Sequence, residues 1–193
     1  SYAKNLGILN QKISLSDSGY RKINSNNYEL VIDIGKVGPS YQPGHAHSDT
    51  FNFELIKGGN PIFVDTGIST YEKNLKRQVQ RSTHSHNTVK IGSKEQTQVW
   101  GGFRVAKRAK ITDLLEKPNF VEASHDGYFG DGYKHTRSFL WGEKYLILND
   151  KINRSTSNKA KAYFHLHSSL TKPLVNADNV ILESSGVCIE FER

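Results

Sequence analysis

Methionine is absent from the 193 residues, and cysteine occurs once, at Cys188. A single thiol excludes an internal disulfide framework and leaves both reducing and oxidising compartments open. A chain that starts at Ser and lacks Met reads as an excised or processed piece of something longer, so the missing signal segment says little about location. Apolar residues are scarce, at 36%, and no stretch approaches the roughly 20 needed for a membrane span. Nine Tyr, nine Phe and two Trp offset that scarcity, because each aromatic ring buries a large area. The length suffices for one substantial domain with its own core, and no low-complexity linker or repeat divides it.

Acidic residues are the minority charge. The net charge is +7 and the pI near 9.4, which favours acidic partners: polyanionic sugars, nucleic acid or anionic lipid. Arg104, Lys107, Arg108 and Lys110 crowd into one segment, which reads as a solvated strand face or as a ligand-binding patch. Helix-turn-helix, zinc-finger and aromatic RNP patterns are all missing, so nucleic acid is not the expected partner.

Helical periodicity is also rare. Only Tyr71–Arg81 qualifies, and it is short and polar. Period-2 alternation dominates instead. Tyr28–Ile34 and Phe51–Ile56 read as strands, and Lys57-Gly58-Gly59-Asn60 is a hairpin turn into Pro61–Val64. Further strands are expected near 87–92, 103–113, 119–124, 136–141, 144–150, 160–167, 179–183 and 187–191. The spacing predicts an all-β antiparallel sandwich with at most short helices.

Against this background the histidines stand out. Three His-x-His pairs, His45/His47, His84/His86 and His165/His167, account for six of the eight. On an extended segment His45 and His47 would point to one side, because side chains alternate with period 2. Asp65 lies 18 residues beyond His47, and His86 lies 21 beyond Asp65. Each gap is long enough for a strand, a turn and a return. Imidazoles with a carboxylate are a donor set that Zn²⁺ prefers.

The blocks Gly44-His45-Ala46-His47-Ser48-Asp49, Phe53-Glu54-Leu55, Val64-Asp65-Thr66-Gly67 and His86-Asn87-Thr88-Val89 resemble the heparinase II/III-like family of polysaccharide lyases. Weaker matches continue through Asp126-Gly127-Tyr128, His135-x-Arg137 and Phe164-His165-Leu166-His167. The resemblance implies that residues 1–193 are the C-terminal β-sandwich domain of a larger enzyme whose N-terminal α/α toroid is absent here. It implies β-elimination on an acidic, uronate-containing polysaccharide, with the principal catalytic Tyr and the carboxylate-neutralising group on the toroid. It assigns His45 as catalytic and His47, Asp65 and His86 as zinc ligands, with the zinc holding the segment that presents His45. A periplasmic or secreted location goes with it, and the isolated domain is expected to be inactive.

Other residues near the motifs invite assignments. Arg81 has a planar fork suited to a substrate carboxylate, and Tyr71, like Tyr41, is placed to line a cleft. Asp49 either orients a ligand histidine or caps the next strand. His84 receives no function, and His165 and His167 read as core or cleft-wall residues. Two further readings belong to other classes. His47, Asp49 and His86 match the two-histidine, one-carboxylate set of a non-haem iron oxygenase, which leaves Asp65 idle. A non-catalytic carbohydrate-binding domain is the third.

Overall fold

The computed structural model describes residues 16–153 and 159–192. Two antiparallel four-stranded sheets face each other. The first is a meander of β1 (Tyr20–Asn24), β2 (Tyr28–Asp33), β3 (Phe53–Lys57) and β4 (Asn60–Phe63). The second has the order β11-β10-β9-β8, from β8 (Ile111–Lys117), β9 (Phe120–His125), β10 (His135–Trp141) and β11 (Leu146–Ile152). Smaller pairings involve β5 (Val89–Ile91) with β12 (Ala160–Ala162), and β6 (Gln98–Trp100) with β7 (Arg104–Ala106). A three-stranded sheet of β13 (Leu174–Val175), β14 (Asn179–Leu182) and β15 (Val187–Glu190) closes the chain. The expected all-β antiparallel sandwich is what forms.

Alternation explains the layers. β2 buries Tyr28, Leu30 and Ile32 on one face and leaves Glu29, Val31 and Asp33 half-buried on the other. The inward face packs with Phe53, Leu55, Ile62 and Phe63 against Val121, Ala123 and Phe139 of the second sheet. Phe53 touches three rings edge-on or tilted, those of Phe63, Phe139 and Phe164. The Gly58-Gly59 turn has φ of 56° and 78°, the left-handed pair that a two-residue hairpin requires.

The departures have local causes. The stretch 103–113 is two strands, because the backbone turns left-handed at Lys107 (φ 41°). The stretch 160–167 pairs only over Ala160–Ala162, then meets β4 through a single Phe63–Leu166 bridge. The helix shrinks to α1 (Leu75–Gln80), which starts where the Asn74 side chain accepts a hydrogen bond from the Arg77 N–H at 3.0 Å. Among the described residues no helix is long and apolar enough to cross a membrane.

The second sheet also buries charge. Register places Asp150 opposite Arg137 and His125 opposite His135. Arg137 donates from Nε and Nη2 to the two Asp150 oxygens, each at 2.7 Å, and from Nη1 to the carbonyls of Phe51 (3.0 Å) and Asn87 (2.6 Å). The Gly127 N–H donates to His125 Nδ1 at 3.0 Å, which places the His125 proton on Nε2. That proton points at His135 Nδ1, 3.0 Å away, and His135 Nε2 donates to Asp150 at 2.7 Å. Every ring nitrogen of the pair therefore has a partner, which is how a sheet tolerates two imidazoles at full burial.

Candidate functional site

The loop from Pro43 to Asn52 carries the site between the first sheet and the segment 81–88. Pro43-Gly44-His45 closes into a single 3-10 turn, with the Ala46 N–H donating to the Pro43 carbonyl at 2.9 Å. His45 and His47 are consequently not neighbours on one extended face, because a turn ends between them. His45 is exposed, its ring edge-on to Tyr71 (5.8 Å between centroids) and Phe103 (6.2 Å). Tyr71 is 61% exposed and parallel to Phe103. The Arg77 guanidinium lies 4.3 Å from the Phe103 ring centre and 5.1 Å from that of Tyr71. His45, Tyr71 and Phe103 thus form an open aromatic lip.

Arg81 does a different job from the expected one. It is fully buried, donating to the Ala46 carbonyl from Nε (3.1 Å) and Nη2 (2.9 Å) and to the Gly102 carbonyl from Nη1 (2.7 Å). Arg77 Nε donates to the same Gly102 carbonyl at 2.6 Å. Burial, then the neighbouring Arg77 charge, lowers the Arg81 pKa. With its fork committed to loop carbonyls it pins Ala46, the residue between the two histidines, and presents no donor to a substrate. The physical reason is that a buried guanidinium needs hydrogen-bond acceptors, and here the carbonyls of Ala46, Gly102 and, at 3.4 Å from Nη2, Arg104 supply them.

Behind the lip, one donor atom each from His47, Asp49 and His86 lies within 4.8 Å of the others. The His47 and His86 rings are 5.3 Å apart. His86 is fully buried; its Nδ1 lies 2.7 Å from Asp65 Oδ2, and its Nε2 has no hydrogen-bond partner. Asp65 is crowded with donors: Asn52 Nδ2 reaches Oδ2 at 2.8 Å and the Gly67 N–H reaches Oδ1 at 2.6 Å. The structure therefore brings together His47 and His86, as expected, but groups Asp49 with them and places Asp65 behind His86. An Nδ1–H donated to Asp65 leaves the Nε2 lone pair facing His47 and Asp49, the carboxylate–imidazole arrangement that orients a metal ligand.

Electrostatics fit the same picture. Burial, then His86, lowers His47 to about 4, so its ring is neutral and able to ligate at neutral pH. Burial raises Asp65, but the hydrogen bond and charge of His86 outweigh it, and the net shift is downward. Burial raises Asp49. Burial, then Asp49, raises Asp33 to about 7. Asp33, Asp49 and Asp65 all raise Tyr20, which reaches about 12. Asp33 at the end of β2 and the loop carboxylates Asp49 and Asp65 repel one another, and a divalent cation at His86 would relieve that repulsion.

Sequence reasoning passed over Asp33, Asn52 and Asn87. Asn87 donates to the carbonyls of Phe53 (2.8 Å) and Val64 (3.0 Å) and accepts from the His165 N–H at 2.6 Å, so it ties the His86 segment to two strands. Its only signal was a position between His86 and Thr88. His165 Nε2 contacts the His84 carbonyl at 3.0 Å, and His84 Nδ1 contacts Ser82 Oγ at 2.8 Å. Neither residue joins the His47 group.

Comparison with known proteins agrees with this fold. The family profile described as heparinase II/III-like, C-terminal, matches residues 8–192. No curated protein sequence matches the chain. Among solved structures, the heparan sulfate lyase HepC from Pedobacter heparinus superposes with a TM-score of 0.63 at 19% identity, covering 87% of this chain and 26% of that one. A heparinase III gives 0.63 at 19%, covering 85% and 26%. The heparinase III BT4657 product gives 0.62 at 18%, covering 85% and 25%. The chain thus spans about a quarter of the length of these structures, and at such identities the likeness is one of fold. A sandwich of this topology, with the His45–Asp49 loop and His86 where the profile runs through them, belongs to the heparinase II/III-like family as its C-terminal domain.

Proposed function

We propose that this chain is the β-sandwich domain of a polysaccharide lyase that cleaves an acidic, uronate-containing polymer by β-elimination. The observation that carries the reading is His45: an exposed imidazole on an aromatic lip, held by a buried arginine clamp beside a polar donor group. In the reaction the proton α to the uronate carboxylate leaves, the bond to the 4-linked oxygen breaks, and a carbon–carbon double bond forms. The departing oxygen gains a proton. His45 serves as acid or base for one of these transfers, since an imidazole can give or take a proton at a ring nitrogen. Tyr71, beside it, packs against the sugar. Donors that neutralise the carboxylate belong to the toroid that the family pairs with this domain. A periplasmic or secreted location accompanies the reading.

We assign the donor group to one divalent cation, zinc by its imidazole and carboxylate chemistry, held by His47, Asp49 and His86 with Asp65 orienting His86. Bound there, zinc would tie the His45 loop to the 81–88 segment. Protein purified without chelator should contain close to one zinc per chain, and His86→Ala should lose it. Asp49→Asn should lose it too, whereas Asp65→Asn should weaken binding about 10–100-fold. The reverse order would make Asp65 the carboxylate ligand, as the sequence resemblance implies. Iron in place of zinc would revive the oxygenase reading, which uses the same three residues.

The test of function is formation of an ultraviolet-absorbing unsaturated uronate by the enzyme that carries this domain, over heparan sulfate, alginate and bacterial exopolysaccharide. Retention on such polymers with no product from any of them would leave a carbohydrate-binding domain.

A further inference from the structure

A second feature lies on the same hairpin that builds the aromatic lip. An open cavity of about 560 Å³ is lined by residues that include Trp100, Gln98, Lys94, Lys107, Gly130 and Asp131. Strand alternation in β6 buries Val99 and turns Gln98 and Trp100 outward, leaving the indole 43% exposed. Arg104 sits directly across the ladder from Trp100 and is exposed on the same side.

The carboxylates here are already committed. Asp131 pairs with Lys94 at 2.8 Å. Glu95 pairs with Lys90 and accepts from the Thr83 N–H at 2.6 Å. Lys107 is different: it makes no hydrogen bond or ion pair among the described residues, and its backbone sits at φ 41°, which a lysine adopts at a cost. That turn brings its ammonium over Gly130, where an added Cβ would stand 2.5 Å from Nζ. The result is an exposed indole that shares a cavity with the unpaired Lys107 and the Gln98 amide, with Arg104 across the ladder from it.

The chemistry matches one class of ligand. An indole face accepts the C–H face of a pyranose, and an unpaired cation in the same cavity favours a ring that carries a carboxylate or sulfate. The position matches as well. Trp100 is three residues from Phe103, at most about 11 Å of chain, and Phe103 packs on His45. The turn between them is fixed, because the Gly102 carbonyl accepts from both Arg77 and Arg81.

We propose that the Trp100–Lys107 cavity is a subsite for an anionic sugar residue of the polymer chain, removed from the bond being cut at His45. The proposal rests on the lyase reading for its substrate class but is tested by binding. The probes are heparan sulfate, alginate and dextran oligosaccharides of matched length, titrated calorimetrically into the protein. At least one acidic probe should bind, more weakly as salt rises, and dextran should not. Trp100→Ala should weaken that binding about tenfold. Lys107→Asn, which tolerates the left-handed backbone, should weaken it and flatten the salt dependence, while Lys107→Arg should retain both. Both residues are exposed, so the variants leave the core intact. Failure of every acidic probe to bind, equal binding of dextran, or affinity indifferent to Trp100→Ala would overturn the proposal. Cleavage with affinity indifferent to Trp100 removes the subsite and leaves the lyase. Trp100-dependent binding without cleavage by the whole enzyme removes the lyase and leaves the subsite.

Discussion

Replacing His45 by alanine in the enzyme that carries this domain should lower turnover about 10²–10⁴-fold, the range for loss of a general acid or base. Zinc content and melting temperature should hardly move. The structure explains the separation. His45 is exposed, and its described contacts are two ring edges, Tyr71 and Phe103. The clamp on the loop acts through the Ala46 carbonyl and survives the substitution. His47→Ala should behave in the opposite way, losing metal and stability together, because metal binding free energy is also folding free energy. The assay is unsaturated-uronate formation, read beside metal analysis and thermal melting. Near-wild-type turnover in a folded His45→Ala enzyme would take this residue out of the chemistry and leave its loop as scaffold.

The second large effect lies away from the lip. Arg137→Met should destabilise the domain by about 3–5 kcal/mol, the cost of leaving a buried partner charge uncompensated. It strands the Asp150 carboxylate and removes the donor to the carbonyls of Phe51 and Asn87. Asp150→Leu strands the guanidinium instead. The Arg137→Met, Asp150→Leu pair should cost less than the two single changes together, since no unpaired charge remains. Urea denaturation checks this; a single-variant loss below about 1 kcal/mol would show the pair to be well hydrated.

The same network makes stability depend on pH. Burial, then His135 and Arg137, holds His125 well below the ordinary imidazole range, and burial lowers His135 despite its bond to Asp150. Burial raises Asp150, but the Arg137 charge and the hydrogen bonds from Arg137 and His135 overcome it and hold it far below the usual carboxylate range. All three groups bind fewer protons folded than unfolded in acid. Their stabilisation is therefore complete above the unfolded imidazole pKa, about 6.5, and declines as pH falls below it, more steeply below about 4 where Asp150 contributes. Melting temperature against pH, wild type beside His135→Gln, measures the imidazole share. A profile flat from pH 7 to pH 5 would count against buried neutral imidazoles.

Much of the frame could be read from alternation. Tyr28–Asp33 announces its buried face residue by residue, and Gly58-Gly59 announces its turn, because both depend on neighbours in sequence. The site was legible only where donors repeat. His47 and His86 could be paired from spacing, but the choice between Asp49 and Asp65 depends on which oxygen is occupied by Asn52 and Gly67. Arg81 looked available because a guanidinium usually seeks an anion. Its actual partners are carbonyls at positions 46 and 102, which no local pattern reveals. His135 was visible only as a weak match beside Arg137 and His125 not at all; their pairing with each other came from strand register.

That register has one more consequence. The protons on His125 Nε2 and His135 Nε2 each point at a protein acceptor, and both rings are fully buried. Neither can reach water while β9 and β10 remain paired. Ring N–H protons normally vanish from a proton spectrum within moments; these two should persist as resolved downfield resonances. Their lifetimes against deuterium would report how often the second sheet parts, a clock for breathing of the domain set inside its own core.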